Sequence, residues 1–89
     1  MNISNLRFTG QRFPVPTDEW IRFLRKRLQL SQSRFAQMYG LDLKSLQQWE
    51  QGRRQPEQGT CLLLLMIDYD SEEVERLVTA VRRATTAPS

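Results

Sequence analysis

A short polar stretch near the middle of the chain carries the side chains with the most recognisable chemistry. The outward-facing positions of a helix predicted from about Leu43 to Gln51 hold Leu43, Lys44, Ser45, Gln47 and Gln48. A glutamine amide can pair bidentately with adenine, a lysine ammonium can donate to guanine O6 and N7, and a leucine can contact a thymine methyl. This set of side chains is therefore suited to reading the edges of base pairs.

The composition excludes most other chemistry. The 89 residues include no histidine and a single cysteine. Zinc ligand sets of the usual kind, a histidine-assisted nucleophile and an internal disulfide are thereby ruled out. A chain of this length buries one small core, which leaves little room for an enclosed active site. We therefore expect no catalytic residues, no metal site and no cofactor.

The charge is unevenly distributed along the chain. The net charge is +3, but residues 1–54 carry +6 and residues 55–89 carry −3. A basic segment joined to an acidic one suits a polyanion-binding face with a different partner surface behind it, although a mixed solvated surface would give the same counts. The first residues lack the order of a signal peptide, and the longest apolar run, Cys61 to Ile67, is too short to span a membrane. These features predict a cytoplasmic protein.

The polar stretch is predicted to lie on the third of three short helices, and the first two are expected to position it. Residues 1–16 lack helical periodicity and are expected to form an extended arm. Thr17 caps a first helix that ends near Leu28, and Ser31 caps a second one, Gln32 to Tyr39, which ends at Gly40. Asp42 caps the third helix, whose inward face holds Leu46 and Trp49. Two short helices joined by a tight turn at Gly40 form a helix-turn-helix.

Two further helices complete the predicted fold. A loop at residues 52–59 precedes an apolar helix from about Thr60 to Asp68, and Asp70 or Ser71 caps a last helix that ends near Arg83. Residues 84–89 are expected to fray. The predicted architecture is all-α: a compact five-helix domain at residues 17–83, with an N-terminal arm at 1–16.

The segment from Ile21 to Pro56 resembles the helix-turn-helix family of Cro/C1-type phage repressors and xenobiotic-response regulators. The matching positions are Leu30, Ser31, Gln32, Phe35, Ala36, Gly40, Leu46, Trp49, Glu50, Gly52, Arg53 and Pro56. The continuation from Gly59 to Ile67 is similar to the HigA and NadS-like antitoxin regulators. At Asp42 and Leu43 the family more often has small polar residues.

The resemblance implies a role for both the apolar and the polar positions of this segment. Phe35, Leu46 and Trp49 would pack inside, and the side chains that would face base edges are Leu43, Lys44 and Gln48. The residues that would contact phosphates are Gln32, Ser45, Gln51, Arg53 and Arg54, with a track that could extend to Arg12, Arg22 and Lys26. One such module reaches only a few base pairs. A homodimer on an inverted repeat of duplex DNA is therefore expected.

The sequence leaves the dimer surface and the biological role open. The candidate surfaces are the last helix (Val74, Leu77, Val78 and Val81), the region of Leu63 and Met66, and strand pairing of the arm at residues 3–8. The leading hypothesis is a repressor that regulates its own operon. The alternatives are an antitoxin that also binds a toxin, an autorepressor of a phage or mobile element such as those that accompany anti-CRISPR genes, and a protein-interaction module that has lost DNA binding.

Overall fold

The computed structural model describes residues 13–86, and these form five α-helices without strands. The helices are α1 (Asp18–Arg27), α2 (Gln32–Tyr39), α3 (Leu43–Glu50), α4 (Gln58–Tyr69) and α5 (Ser71–Thr86). This architecture confirms the predicted all-α, five-helix fold. Residues 13–16 of the expected arm have no regular structure. The rest of the arm, with Arg12, lies outside the described residues.

Side-chain caps start four of the helices. The hydroxyls of Thr17 and Ser31 and the carboxylate of Asp42 each accept a hydrogen bond from the backbone N–H three residues later. Asp70 accepts in the same way from the N–H of Glu73 at the start of α5. Each cap satisfies a backbone donor that has no partner inside its helix. The predicted caps at Thr17, Ser31 and Asp42 are therefore confirmed, and Asp70 rather than Ser71 caps the last helix.

Left-handed residues end the first three helices. Gln29, Gly40 and Gly52 have φ angles of 59°, 70° and 72°. After each of these residues, the next N–H bonds back to a carbonyl five residues earlier, which reverses the chain within a few residues. Glycine adopts this conformation without a Cβ clash, whereas glutamine does not.

We expect the substitution Gln29→Gly to stabilise the protein by about 0.5 kcal/mol. Removing the Cβ relieves the strain of the left-handed conformation, and the greater freedom of glycine in the unfolded chain offsets part of this gain. Gln37→Gly is the matched control, because Gln37 is exposed inside α2 and glycine should destabilise the helix there. Urea denaturation measures both free energies of unfolding. A loss of stability in Gln29→Gly would contradict the assignment of strain to Gln29.

The core lies where all five helices meet. Its largest fully buried side chains are Phe35, Ile21, Leu24, Leu46, Leu64, Leu65, Ile67 and Cys61. Within this core α3 packs against α1 and α2, while α5 packs against α2 and α4. The third helix is therefore supported from behind by the first two, and its opposite face is left uncovered.

Two helix boundaries differ from the predicted ones by two residues or more. Helix α4 begins at Gln58 and includes Gly59, because the N–H of Cys61 bonds to the carbonyl of Glu57 and closes a first turn there. Helix α5 continues to Thr86, so residues 84–86 of the predicted frayed tail are helical. The hydroxyls of Thr85 and Thr86 donate to the carbonyls of Val81 and Arg82, one turn earlier in the same helix.

Candidate nucleic-acid interface

Helix α3 turns its apolar side chains inward and its polar ones outward. Leu46 is fully buried and Trp49 is 9% exposed, so both anchor the helix to the core. On the outer face Leu43 is 37% exposed and Lys44 is also exposed. An exposed leucine beside a lysine at the start of a short helix is an arrangement that suits contact with base edges.

The first turn of α3 is held by Asp42 and Ser45. The carboxylate of Asp42 accepts hydrogen bonds from both the backbone N–H and the hydroxyl of Ser45, each at 2.9 Å. The backbone hydrogen bond, followed by the hydroxyl bond, lowers the pKa of Asp42 below its usual value. The hydroxyl of Ser45, a predicted phosphate contact, is therefore engaged inside the chain. It would have to rotate away from Asp42 to donate to a phosphate.

The end of α3 brings Gln48 together with the basic loop that follows. The guanidinium of Arg54 donates to Oε1 of Gln48 at 3.5 Å, and the N–H of Arg53 bonds to the carbonyl of Gln48 at 2.9 Å. Gln48 is half-buried, whereas Gln51, Arg53 and Arg54 are exposed. The predicted base contact and three predicted phosphate contacts are thus neighbours on one surface.

The exposed basic residues of this surface are free to bind anions. None of the ion pairs among residues 13–86 involves Lys44, Arg53 or Arg54. An unpaired guanidinium or ammonium binds a phosphate without first breaking an ion pair within the protein. The surface around α3 therefore combines hydrogen-bonding side chains with available positive charge.

A buried ion pair behind α3 fixes its orientation. The guanidinium of Arg25 donates to both carboxylate oxygens of Glu50, at 2.7 and 2.9 Å. Glu50 is only 4% exposed, and hydrogen bonding to it raises the pKa of Arg25. Arg25 also donates to the carbonyl of Leu30 at 3.0 Å, just before the second helix. One side chain of α1 thereby joins the start of α2 to the end of α3.

Sequence reasoning missed this role of Glu50, although a signal was present. Glu50 follows Leu46 and Trp49 at the spacing i, i+3, i+4, which places it on the inward face of the helix. A buried carboxylate requires a charged or hydrogen-bonding partner. The arginines of α1 were the available candidates.

Gln32 belongs to the same buried cluster. Its side-chain amide donates to Oε1 of Glu50 at 3.1 Å, and the residue is half-buried at the first position of α2. An amide has two N–H donors, so one remains for a phosphate at this helix end. The structure therefore places the predicted phosphate contact at the expected end of α2, with part of its hydrogen-bonding capacity already used.

The proposed extension along α1 is less available than the basic loop. Arg22 pairs with Asp18 at 3.1 Å and also donates to the backbone carbonyl of Glu50. The hydrogen bond from Arg22 lowers the pKa of the Asp18 carboxyl. Lys26 is exposed. Arg22 thus supports the end of α3 from within the protein.

Metal and thiol chemistry have little support in the described part of the chain. Residues 13–86 contain no cluster of three histidine, cysteine or acidic side chains that could hold a metal ion. The thiol of Cys61 is fully buried against the carbonyl of Pro56, and burial raises its pKa. A buried thiol of this kind is a poor nucleophile.

None of the helices at positions 13–86 has the length and apolar character that crossing a bilayer requires.

Comparison with known families agrees with this geometry. The family model for the helix-turn-helix of the Cro/C1 type matches residues 21–66, slightly more than half of the chain. The chain belongs to this family. Its members are DNA-binding regulators that generally lack enzymatic activity. The chain is therefore a sequence-specific DNA-binding regulator. No curated protein matches it.

Proposed function

We propose that this protein is a transcriptional repressor that binds its own promoter as a homodimer on an inverted repeat. The observation that carries the proposal is the outer face of α3, where Leu43 and Lys44 are exposed above the buried Leu46 and Trp49. A helix supported in this way fits the major groove, and two such helices about 34 Å apart would enter successive grooves. Occupation of a promoter by this dimer would exclude the polymerase.

Three side chains of α3 would read the base sequence. Lys44 would donate to a guanine, Leu43 would contact a thymine methyl, and Gln48 would pair with an adenine. The guanidinium of Arg54 already contacts Oε1 of Gln48, at 3.5 Å, without DNA. A carbonyl oxygen has two lone pairs, so Oε1 can accept from Arg54 and from a base together.

Phosphate contacts would surround this reading helix. Gln32 lies at the start of α2, and Arg53 and Arg54 lie beyond the end of α3. We assign the same function to Ser45 and Gln51, which border the two ends of α3. Contacts on both sides of the reading helix would set its register in the groove without contributing sequence preference.

The dimer would form through an apolar face of α4 and α5. Met66, Leu77 and Val81 are 42%, 49% and 60% exposed, and Tyr69 is 80% exposed. Met66, Tyr69 and Leu77 border an apolar groove of about 280 Å³ between the two helices. Among the earlier candidates, Val74 is buried at this groove, and Leu63 and Val78 are half-buried against the core, so these three offer less surface to a partner than Leu77 and Val81.

We expect the substitution Leu77→Glu to convert the dimer to a monomer, because it places a charge in the centre of the apolar face. Light scattering at micromolar concentration measures the mass. Thr79→Glu is the control, since it adds the same charge to the same exposed helix but lies outside the apolar groove. Equal masses for the two variants would exclude this face as the dimer surface.

Fluorescence anisotropy with labelled duplexes tests the proposed repressor. One duplex carries the region upstream of the gene, and the other is a scrambled duplex of equal length at the same salt concentration. Specific binding is expected to exceed non-specific binding by a factor of about 10³ or more. Equal affinities would refute sequence-specific repression at this promoter.

A second candidate function is that of an antitoxin that also binds a basic toxin. The observation that favours it is the exposed acidic start of α5, where Asp70, Glu72, Glu73 and Glu75 follow one another within six residues. The experiment is to co-express this chain with a small basic protein encoded beside its gene. Failure of the two proteins to co-purify would exclude this role.

A further inference from the structure

A basic groove lies between α2 and α5, and no residue of α3 lines it. It has a volume of about 160 Å³ and is lined by Arg34, Gln37, Met38, Glu75, Thr79 and Arg82. Arg34 and Arg82 bring two positive charges to this groove against the single carboxylate of Glu75. The groove therefore has an excess of positive charge.

The two arginines lie beside the end of α2 that is expected to approach DNA. Helices α2 and α5 pack against each other, and the Tyr39 hydroxyl at the end of α2 donates to the Ser71 carbonyl at the start of α5. Arg34 occupies the first turn of α2, and Arg82 lies in the last part of α5. Because both arginines line the same groove, the C-terminal part of α5 borders the N-terminal part of α2 there.

Both guanidiniums of the groove are available. Neither Arg34 nor Arg82 makes a side-chain hydrogen bond or ion pair with any residue in the range 13–86. The C-terminal carbonyls of a helix would normally repel an anion. Arg82 lies in the last part of α5, where its positive charge offsets this repulsion.

We propose that Arg34 and Arg82 jointly bind a phosphate of the DNA backbone, so that α5 extends the DNA contact beyond the helix-turn-helix. A planar guanidinium binds a phosphate through paired N–H donors, and two guanidiniums from different helices can hold one phosphate from two sides. This inference rests on the proposed docking of α2 and α3 on duplex DNA. The phosphate contact would increase the affinity for DNA of any sequence and would add no base preference.

Salt titration of DNA binding by the full chain tests the assignment. In Arg82→Ala, the slope of log K against log salt concentration is expected to become less steep by about 1, on the promoter duplex and the scrambled duplex alike. The ratio of the two affinities should be unchanged. Arg82→Lys, which keeps the charge, should recover most of the lost slope.

Arg83→Ala is the matched control for this experiment. It removes the same charge from the neighbouring position, but Arg83 lines a different surface with Arg76 and Ala80 and does not border the groove. Its salt slope should stay near that of the unaltered chain. Light scattering confirms that both variants keep the same mass.

Three outcomes would overturn the proposal in distinguishable ways. Equal slopes for Arg82→Ala and Arg83→Ala would mean that only net charge matters and would refute the phosphate site alone. A changed ratio of promoter to scrambled affinity in Arg82→Ala would show that α5 acts on specificity instead. Failure of the unaltered chain to bind any duplex would refute the proposed function together with this inference.

Discussion

Replacing Glu50 by alanine is expected to lower the free energy of unfolding by about 3 kcal/mol or more. The change leaves the guanidinium of Arg25, whose side chain is only 14% exposed, without its counter-charge inside the protein. The amide of Gln32 loses its acceptor at the same time. Thermal and urea denaturation measure the loss, and because α3 loses its ion pair with α1, affinity for promoter DNA should fall as well.

A second glutamate–arginine pair provides the control. Glu73 pairs with Arg76 on the surface of α5, where both side chains are largely exposed. Exposed ion pairs contribute little to stability, so Glu73→Ala should change the denaturation midpoint far less than Glu50→Ala. Glu50→Gln, which keeps an acceptor but loses the charge, should fall between the two. A similar loss in Glu50→Ala and Glu73→Ala would contradict a structural role for the buried pair.

Joint substitution of Lys44 and Gln48 by alanine is expected to remove most of the preference for promoter DNA while leaving the fold intact. Each base contact contributes about 1–3 kcal/mol of discrimination, so the loss of two contacts should lower the ratio of promoter to scrambled affinity by about 30-fold to 10⁴-fold. Both side chains lie on the outer face of α3 and make no contribution to the buried core. Anisotropy on the two duplexes measures the ratio.

Arg53→Ala separates base reading from phosphate binding. Arg53 is exposed beyond the end of α3, and its loss should weaken binding to the promoter and scrambled duplexes by the same factor. The double variant should instead affect the promoter duplex more strongly. If both variants reduced the two affinities equally, Lys44 and Gln48 would be phosphate contacts and the base assignment would be wrong.

Features set by neighbouring residues could be predicted from the sequence. Thr17, Ser31 and Asp42 each cap a helix by bonding to a backbone N–H three residues away, and Gly40 reverses the chain within one turn. These interactions depend on residue type and spacing alone. The number of helices and the inward face of α3 followed from the same local patterns.

Features that join distant segments could not be predicted in this way. Arg25, Gln32 and Glu50 meet through bonds that span 18 to 25 positions. Local periodicity also could not separate the two sides of α5, where Val74 is buried and Leu77 is not. Both sides have apolar residues at helical spacing, and only the position of α2 and α4 determines which side is covered.

The sequence pattern predicted that the outward side chains of the interface lie on a surface, but it did not predict their hydrogen-bond partners. Lys44 and Leu43 are exposed, as the pattern of α3 indicated. Ser45 bonds to Asp42, and Gln48 contacts Arg54. Such contacts depend on the rotamer of each side chain and on the path of the loop after Gly52. Amino-acid type specifies neither of these.

The link that Arg25 makes between Leu30 and Glu50 separates the scaffold of this protein from its specificity. The angle between α2 and α3 is held by groups on the inner side of these helices. Residues 43, 44, 47 and 48 could therefore be randomised as a library without disturbing the frame that carries them. Selection from such a library on other operator sequences would yield regulators that bind new sites on the genome.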